Sequence, residues 1–174
     1  GDAKYDSMIV NGTITVNKNT KTTLTMDDVV KYFSGSQNLT AKLVDAFGNP
    51  IANATVYFTV NGKVYAKTTD ENGTASLGIR LNPKSYVITA YNPATGEERA
   101  NNITVMPTLV TKDLSMKYLD GSNFTALTLD GQGKPLANQN VSFNVNGVFY
   151  HKLTDNNGIA KLGIRLMAGE YIIT

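Results

Sequence analysis

The chain has 174 residues, 16 Lys and Arg against 14 Asp and Glu for a formal net charge of +2, and no cysteine. Basic residues are scattered rather than clustered, which argues against nucleic acid as a partner, and zero Cys excludes a disulfide framework and thiolate chemistry. Hydrophobic residues at 41% suffice for packed cores, while 17% charged residues with abundant Asn, Thr and Gly favour strands and turns over helices. No apolar run reaches the roughly 20 residues that span a bilayer, so no membrane insertion is expected of this stretch, and any export signal or anchor is expected outside it.

In chain order, Gly1–Ser7 is polar, and Met8–Val16 (MIVNGTITV) is a strand-like run rich in β-branched residues. Leu24–Tyr32 reads as a strand interrupted at Asp27 and Asp28. Leu39–Asp45 follows, with Leu39, Ala41 and Leu43 on one face, and Phe47-Gly48-Asn49-Pro50 is a turn. Val56, Phe58 and Val60 alternate with polar neighbours, and Asn61-Gly62 carries the strongest short hairpin signal, because a type I′ turn needs positive φ at both central residues. Val64–Thr69 returns, Asp70-Glu71-Asn72-Gly73 turns again, and Ala75, Leu77, Ile79 and Leu81 mark the next inward face. Tyr86–Ala90 and Asn102–Val105 complete seven short strands, and no window shows a sustained, capped helical period.

The text then recurs. Asn38–Thr89 and Asn123–Thr174 align without a gap, each position matching the one 85 later (123 − 38 = 85). About half of the positions are identical, and so long a period marks tandem domains rather than solenoid units. Val141, Phe143 and Val145, the Asn146-Gly147 hairpin, the Asp155–Gly158 turn, and Ala160, Leu162, Ile164 and Leu166 repeat the pattern. Phasing the ITV runs at Met8–Val16 and Arg99–Val105 predicts that residues 1–21 are the last strand of a preceding repeat plus a linker. Residues 22–105 form the first domain, and residues 106–174 form a second that is incomplete at its C-terminal end. The expected fold is all-β: two tandem immunoglobulin-like antiparallel β-sandwiches, the second lacking its last strand. Tyr86 and Tyr171, each opening the sixth strand after a turn, stand where a structural tyrosine corner would bond its hydroxyl back to the loop backbone, or where an ordinary core aromatic would sit.

The string D-x-x-G-x-P-x-A-N-x-x-V-x-F-x-V-N-G, then T-D-x-N-G-x-A-x-L, then G-x-Y-x-I-T, resembles the bacterial and archaeal Ig-like repeats of the invasin and intimin type. With Lys112-Asp113-Leu114 and Asn146-Gly147-Val148-Phe149-Tyr150 it is most similar to the tandem repeats of adhesin-like surface proteins of methanogenic archaea. The resemblance implies an extracellular protein at the cell surface or wall, with repeats acting as a stalk that presents a distal binding region. The alternative is that the domains themselves bind a protein or glycan on another cell in cell adhesion.

Chemistry-bearing residues are few. His151 is the single histidine and Ala66 in the other copy, no catalytic motif occurs, and no enzyme is expected. The Asp70–Gly73 and Asp155–Gly158 turns offer oxygens for Ca²⁺ but lack the spacing of an EF-hand loop, and a tight turn demands those residues anyway, so neither metal nor cofactor is expected. Asn11, Asn38, Asn53, Asn72, Asn102, Asn123 and Asn140 each open an N-x-S/T sequon, against roughly three by chance, which fits a glycosylated exported protein. An intramolecular isopeptide bond would need a core Lys beside Asn or Asp, and Lys31 and Lys117 are the candidates. A sandwich short of a strand exposes unpaired edges that invite another strand, so Met8–Val16 is expected to fill the gap of a neighbouring molecule in head-to-tail association.

Overall fold

A computed structural model describes residues 12–15 and 23–174. Among the described residues there are thirteen strands and no helix. Met8–Val16 therefore lies outside the described residues except for Gly12–Thr15, which pair with no strand and leave Ile14 89% exposed.

The first unit holds eight strands: β1 (Leu24–Met26), β2 (Val29–Tyr32), β3 (Asn38–Leu43), β4 (Thr55–Val60), β5 (Lys63–Thr68), β6 (Thr74–Gly78), β7 (Lys84–Asn92) and β8 (Glu97–Met106). They form two sheets, β1-β3-β6 and β2-β8-β7-β4-β5. The interruption at Asp27-Asp28 moves the chain from one sheet to the other. Asp28 is spent on that crossing: its carboxylate accepts from the Asn102 amide at 2.8 Å and from Asn101 Nδ2 at 3.0 Å, which holds its pKa below the usual range. β2 then pairs with β8 in parallel, from Val29 with Ile103 to Tyr32 with Met106. This corrects the purely antiparallel expectation for that one pair, and the reason is topological, since a chain that changes sheets in mid-strand keeps its direction while gaining a new neighbour.

Alternation places the core. Val56, Phe58 and Val60 on β4 and Leu39, Ala41 and Leu43 on β3 are buried, and they meet Ala75, Leu77, Ile88, Ala90, Ile103 and Val105 between the sheets. Each large side chain buried here stabilises by about 1.5–3 kcal/mol against the entropy of ordering the chain. The hairpin after β4 has φ of 49° at Asn61 and 74° at Gly62, and the matching turn has 50° at Asn146 and 85° at Gly147, as a type I′ turn requires.

The second unit repeats this plan with less of the second sheet. β9 (Leu109–Thr111), β10 (Asn123–Thr128) and β13 (Ile159–Gly163) form one sheet, and β11 (Asn140–Val145) with β12 (Val148–Leu153) the other. The Tyr171–Thr174 run, counterpart of β7, joins β11 through a Val145–Ile173 bridge and a reciprocal pair of backbone bonds between Asn144 and Thr174. Ser115–Tyr118, counterpart of β2, forms no strand among the described residues, where β2 in the first unit pairs with β8. The core is correspondingly small, with Ala126, Val141, Phe143, Val145, Ala160 and Leu162 buried. Phe124 meets Phe143 edge-on at 5.9 Å between ring centroids.

Candidate functional site

Polar groups buried between strands act here as fasteners. Thr69, 2% exposed, accepts at Oγ1 from the Ala54 amide at 2.9 Å and donates to the Ile51 carbonyl at 2.7 Å. Thr154, one repeat later and 3% exposed, accepts from the Gln139 amide at 2.9 Å and donates to the Leu136 carbonyl at 2.7 Å. Each hydroxyl ties the loop before β4 or β11 to the end of the following strand.

Glu97 fastens the entry to the first unit. Its Oε2 accepts from the Thr23 amide (2.9 Å), the Thr23 hydroxyl (2.6 Å) and the Leu24 amide (2.9 Å), while Oε1 meets Arg99 Nη2 at 2.6 Å. Burial raises its pKa, but the Thr23 and Leu24 hydrogen bonds and the Arg99 charge outweigh it, so the carboxyl titrates below its ordinary value. Lys31 is buried at 3% exposure and donates to the carbonyls of Gly35 (2.6 Å), Ile79 (2.9 Å) and Gln37 (3.3 Å), and desolvation lowers its pKa. Those carbonyls take up all three ammonium protons, and no Asn or Asp side chain is among its hydrogen-bond partners, so Lys31 clamps backbone rather than approaching an isopeptide acceptor.

The sequon asparagines Asn38, Asn53, Asn72, Asn102, Asn123 and Asn140 are all exposed, whereas Asn11 lies outside the described residues. They are spread over both units rather than gathered. The Tyr86 hydroxyl donates to the Asn82 carbonyl at 2.9 Å and the Tyr171 hydroxyl to the Met167 carbonyl at 3.1 Å, each closing a loop four residues back. Asp70 Oδ1 accepts from the amides of Asn72 and Thr74, and Asp155 Oδ1 from those of Asn157 and Ile159, so these carboxylates cap their own turns. Among the described residues no three His, Cys, Asp or Glu side chains gather as a metal site would need.

His151 is exposed on β12, and its Nδ1 lies 2.7 Å from Ser142 Oγ across the β11–β12 ladder. A Ser–His contact suggests a nucleophile and its base, but a working pair also needs a group orienting the ring and donors aimed at an oxyanion. Here both side chains stand on an open sheet face, and the contact is a cross-strand pair. Two cavities lie in the first unit. One of about 240 Å³ is lined by Val60, Tyr65, Leu77, Ile79, Leu81 and Ile88, and one of about 580 Å³ runs past Lys31, Phe33, Asn38, Arg80 and Asn82. Neither lining includes a carboxylate or a histidine, the usual partners of general acid–base chemistry.

Hydropathy alternation signalled the buried faces of β3, β4 and β6 and of their counterparts β11 and β13, but was blind to Thr69, Thr154, Lys31 and Glu97. The recurrence of a threonine at the same point of both repeats was the one available signal for the first two.

No protein-family model and no curated protein matches the chain. Solved structures similar to it include invasin, a bacterial integrin-binding protein, at 22% identity over 84% of this chain and 34% of that one, with a TM-score of 0.44. A Ca²⁺-stabilized adhesin with which an Antarctic bacterium binds ice aligns at 17% identity over 89% of this chain and 47% of that one, with a TM-score of 0.34. The fibronectin(III)-like modules of Clostridium thermocellum CbhA align at 12% identity over 86% and 82%, with a TM-score of 0.34. The chain thus spans about a third of the invasin structure and about half of the ice-binding adhesin. Its β-sandwich architecture rests on its own sheet order and buried faces.

Proposed function

We propose that this chain is part of a cell-surface, adhesin-like protein in which modules spanning residues 22–105 and 106–174 act as a stalk, holding a distal binding region away from the surface. The observation that carries the reading is the joint between them. β8 ends at Met106 and β9 begins at Leu109, leaving only Pro107 and Thr108 between. Proline fixes φ, the Leu129 amide donates to the Thr108 carbonyl at 2.8 Å, and the Phe33 amide donates to the Met106 carbonyl at 2.8 Å, so the linker is bonded on both sides. Exposed sequon asparagines suit an exported, glycosylated protein, and the resemblance to methanogen repeats supports an archaeal cell surface. In this reading Tyr86 and Tyr171 are tyrosine corners, the function is non-enzymatic, and the partner is an external protein or glycan met by the distal region.

The alternative role, direct binding by these modules, would depend on side chains that differ between the copies. Lys63 against Val148 and Phe47 against Gln132 are the exposed examples. The test replaces residues 106–174 with the corresponding part of the first module, keeping glycine at position 131, and measures adhesion of cells displaying the protein beneath a known binder. A stalk keeps adhesion unchanged, whereas loss of adhesion on the swap favours direct binding. A second association is carried by the edge of β11 opposite β12, which meets the Tyr171–Thr174 run only at Asn144 and Val145 and on that side has no strand beside Asn140–Phe143 among the described residues. Met8–Val16 of a neighbouring molecule has the character to complete that sheet. Sedimentation should then show concentration-dependent association that disappears on deleting residues 8–16, and a protein monomeric at high concentration would rule it out.

A further inference from the structure

We infer that the two modules dock through a dedicated surface, the Tyr32–Gly35 turn of the first seated on the Gly131–Gly133 turn of the second, with Gly131 the residue that makes the fit. The inference rests on the serial arrangement proposed above and specifies what fixes it. The approach is backbone on backbone. A Cβ added at Gly131 would fall 2.8 Å from Gly35 Cα, 2.9 Å from Gly35 N and 3.0 Å from the Ser34 carbonyl carbon, and one added at Gly35 would fall 2.5 Å from the Gly131 carbonyl oxygen. At Gly133 the place of a Cβ is occupied by the ring of Tyr32.

Conformation does not account for Gly131. Gly133, with φ of 79°, needs glycine for its turn, but Gly131 and Gly35 have no positive φ. The repeat supplies the control, because Ala46 stands at the position of Gly131 in the first module. The Ala46 turn is built in the same way: Asp45 Oδ1 accepts from the amides of Phe47 and Asn49, as Asp130 Oδ1 accepts from those of Gln132 and Lys134. The turn folds with a Cβ present, so the missing one at Gly131 serves the neighbouring module. By the same distances, the Ala46 turn cannot seat a Tyr32–Gly35 turn at this approach.

The receiving turn is equally well held. Gly35 N donates to the Tyr32 carbonyl at 2.9 Å, Lys31 Nζ grips the Gly35 carbonyl at 2.6 Å, and Ser34 is kept at φ 61°, in the left-handed region that non-glycine residues seldom adopt. The buried lysine is thus a positioning residue for the docking turn. With the Pro107-Thr108 linker it gives the modules two points of attachment, which is what fixing an orientation requires.

The test is residual dipolar couplings measured by NMR on the whole chain, comparing wild type, Gly131→Ala and the control Ala46→Gly. In the wild type and the control, couplings from both modules fit one alignment tensor. In Gly131→Ala both modules keep native shift dispersion, their tensors separate, and the amides of Tyr32–Gly35 shift. A Gly131→Ala protein that retains one common tensor with unmoved Tyr32–Gly35 amides overturns the docking assignment while leaving the stalk reading intact. Unfolding of the second module by Gly131→Ala overturns it too, since the Ala46 turn shows that a Cβ is tolerated there. Separate tensors already in the wild type would sink both the docking surface and a rigid stalk.

Discussion

Replacing Thr69 by Val keeps the shape of the side chain and removes one oxygen. The Ala54 amide then loses its 2.9 Å acceptor and the Ile51 carbonyl its 2.7 Å donor, at a position 2% exposed. The backbone bonds from Thr69 N to the Ala54 carbonyl and from Asn53 N to the Thr69 carbonyl remain, so the loss is confined to the hydroxyl. Two hydrogen bonds at about 1 kcal/mol each, with a further penalty for partly buried groups left unpaired, come to about 2–3 kcal/mol. For a module of this size that corresponds to a drop in its midpoint of roughly 10–20 °C, at about 4–8 °C per kcal/mol. Thr69→Ser, which keeps the oxygen and loses a methyl group, should cost about 1 kcal/mol or less. Thermal and urea unfolding of both variants, with hydrogen exchange read at the Ala54 amide, separates the hydroxyl from the shape. A Thr69→Val protein within about 0.5 kcal/mol of the wild type, or a Ser variant as damaged as the Val one, would refute the fastener argument. Thr154→Val should repeat the loss in the second module.

Glu97 makes the first module sensitive to acid. Its folded pKa is depressed, so its contribution of about 2 kcal/mol from charged hydrogen bonds is full above the ordinary carboxylate pKa and is lost as pH falls through the folded value. Glu97→Gln should therefore be destabilised near neutral pH and converge on the wild type in acid, and denaturant midpoints that differ by the same amount at every pH would contradict this. The second module has the smaller core, so heating should unfold it first, in a transition resolved from that of the first. Phe143→Ala should lower only the earlier midpoint and Phe58→Ala only the later one, each by about 3–5 kcal/mol. One calorimetric transition moved equally by either substitution would show that the modules unfold as a single unit.

The elements legible in the sequence are those governed by local rules. Period-two alternation located Val56, Phe58 and Val60, and the Asn-Gly pairs located both hairpins, because a strand with one buried face and a turn with positive φ leave their demands on neighbouring residues. The switch of sheets at Asp27-Asp28 was visible only as an interruption, since its outcome depends on β8, more than seventy residues later. Glu97 likewise looks like any surface glutamate until β1 is folded against it. Lys31 reads as a polar residue in a strand and turns out to be buried, because the carbonyls that receive it come from Gly35, Gln37 and Ile79, groups that sequence pattern does not reveal. Gly131 could have been noticed by comparing the copies, but without the first module beside it, Ala46 against Gly131 is an unremarked small-residue exchange.

Two like modules held in series through a short, bonded joint keep a fixed separation. Because the chain has no cysteine, Lys63→Cys and Val148→Cys place spin labels at equivalent exposed positions of the two copies and nowhere else. The distance between them, measured by pulsed electron paramagnetic resonance on the frozen protein, reports how the two modules are placed relative to each other. Modules fixed in series give a single narrow distribution, unchanged between low and high salt. A broad distribution, tens of ångströms wide as a freely jointed linker would give, would contradict it.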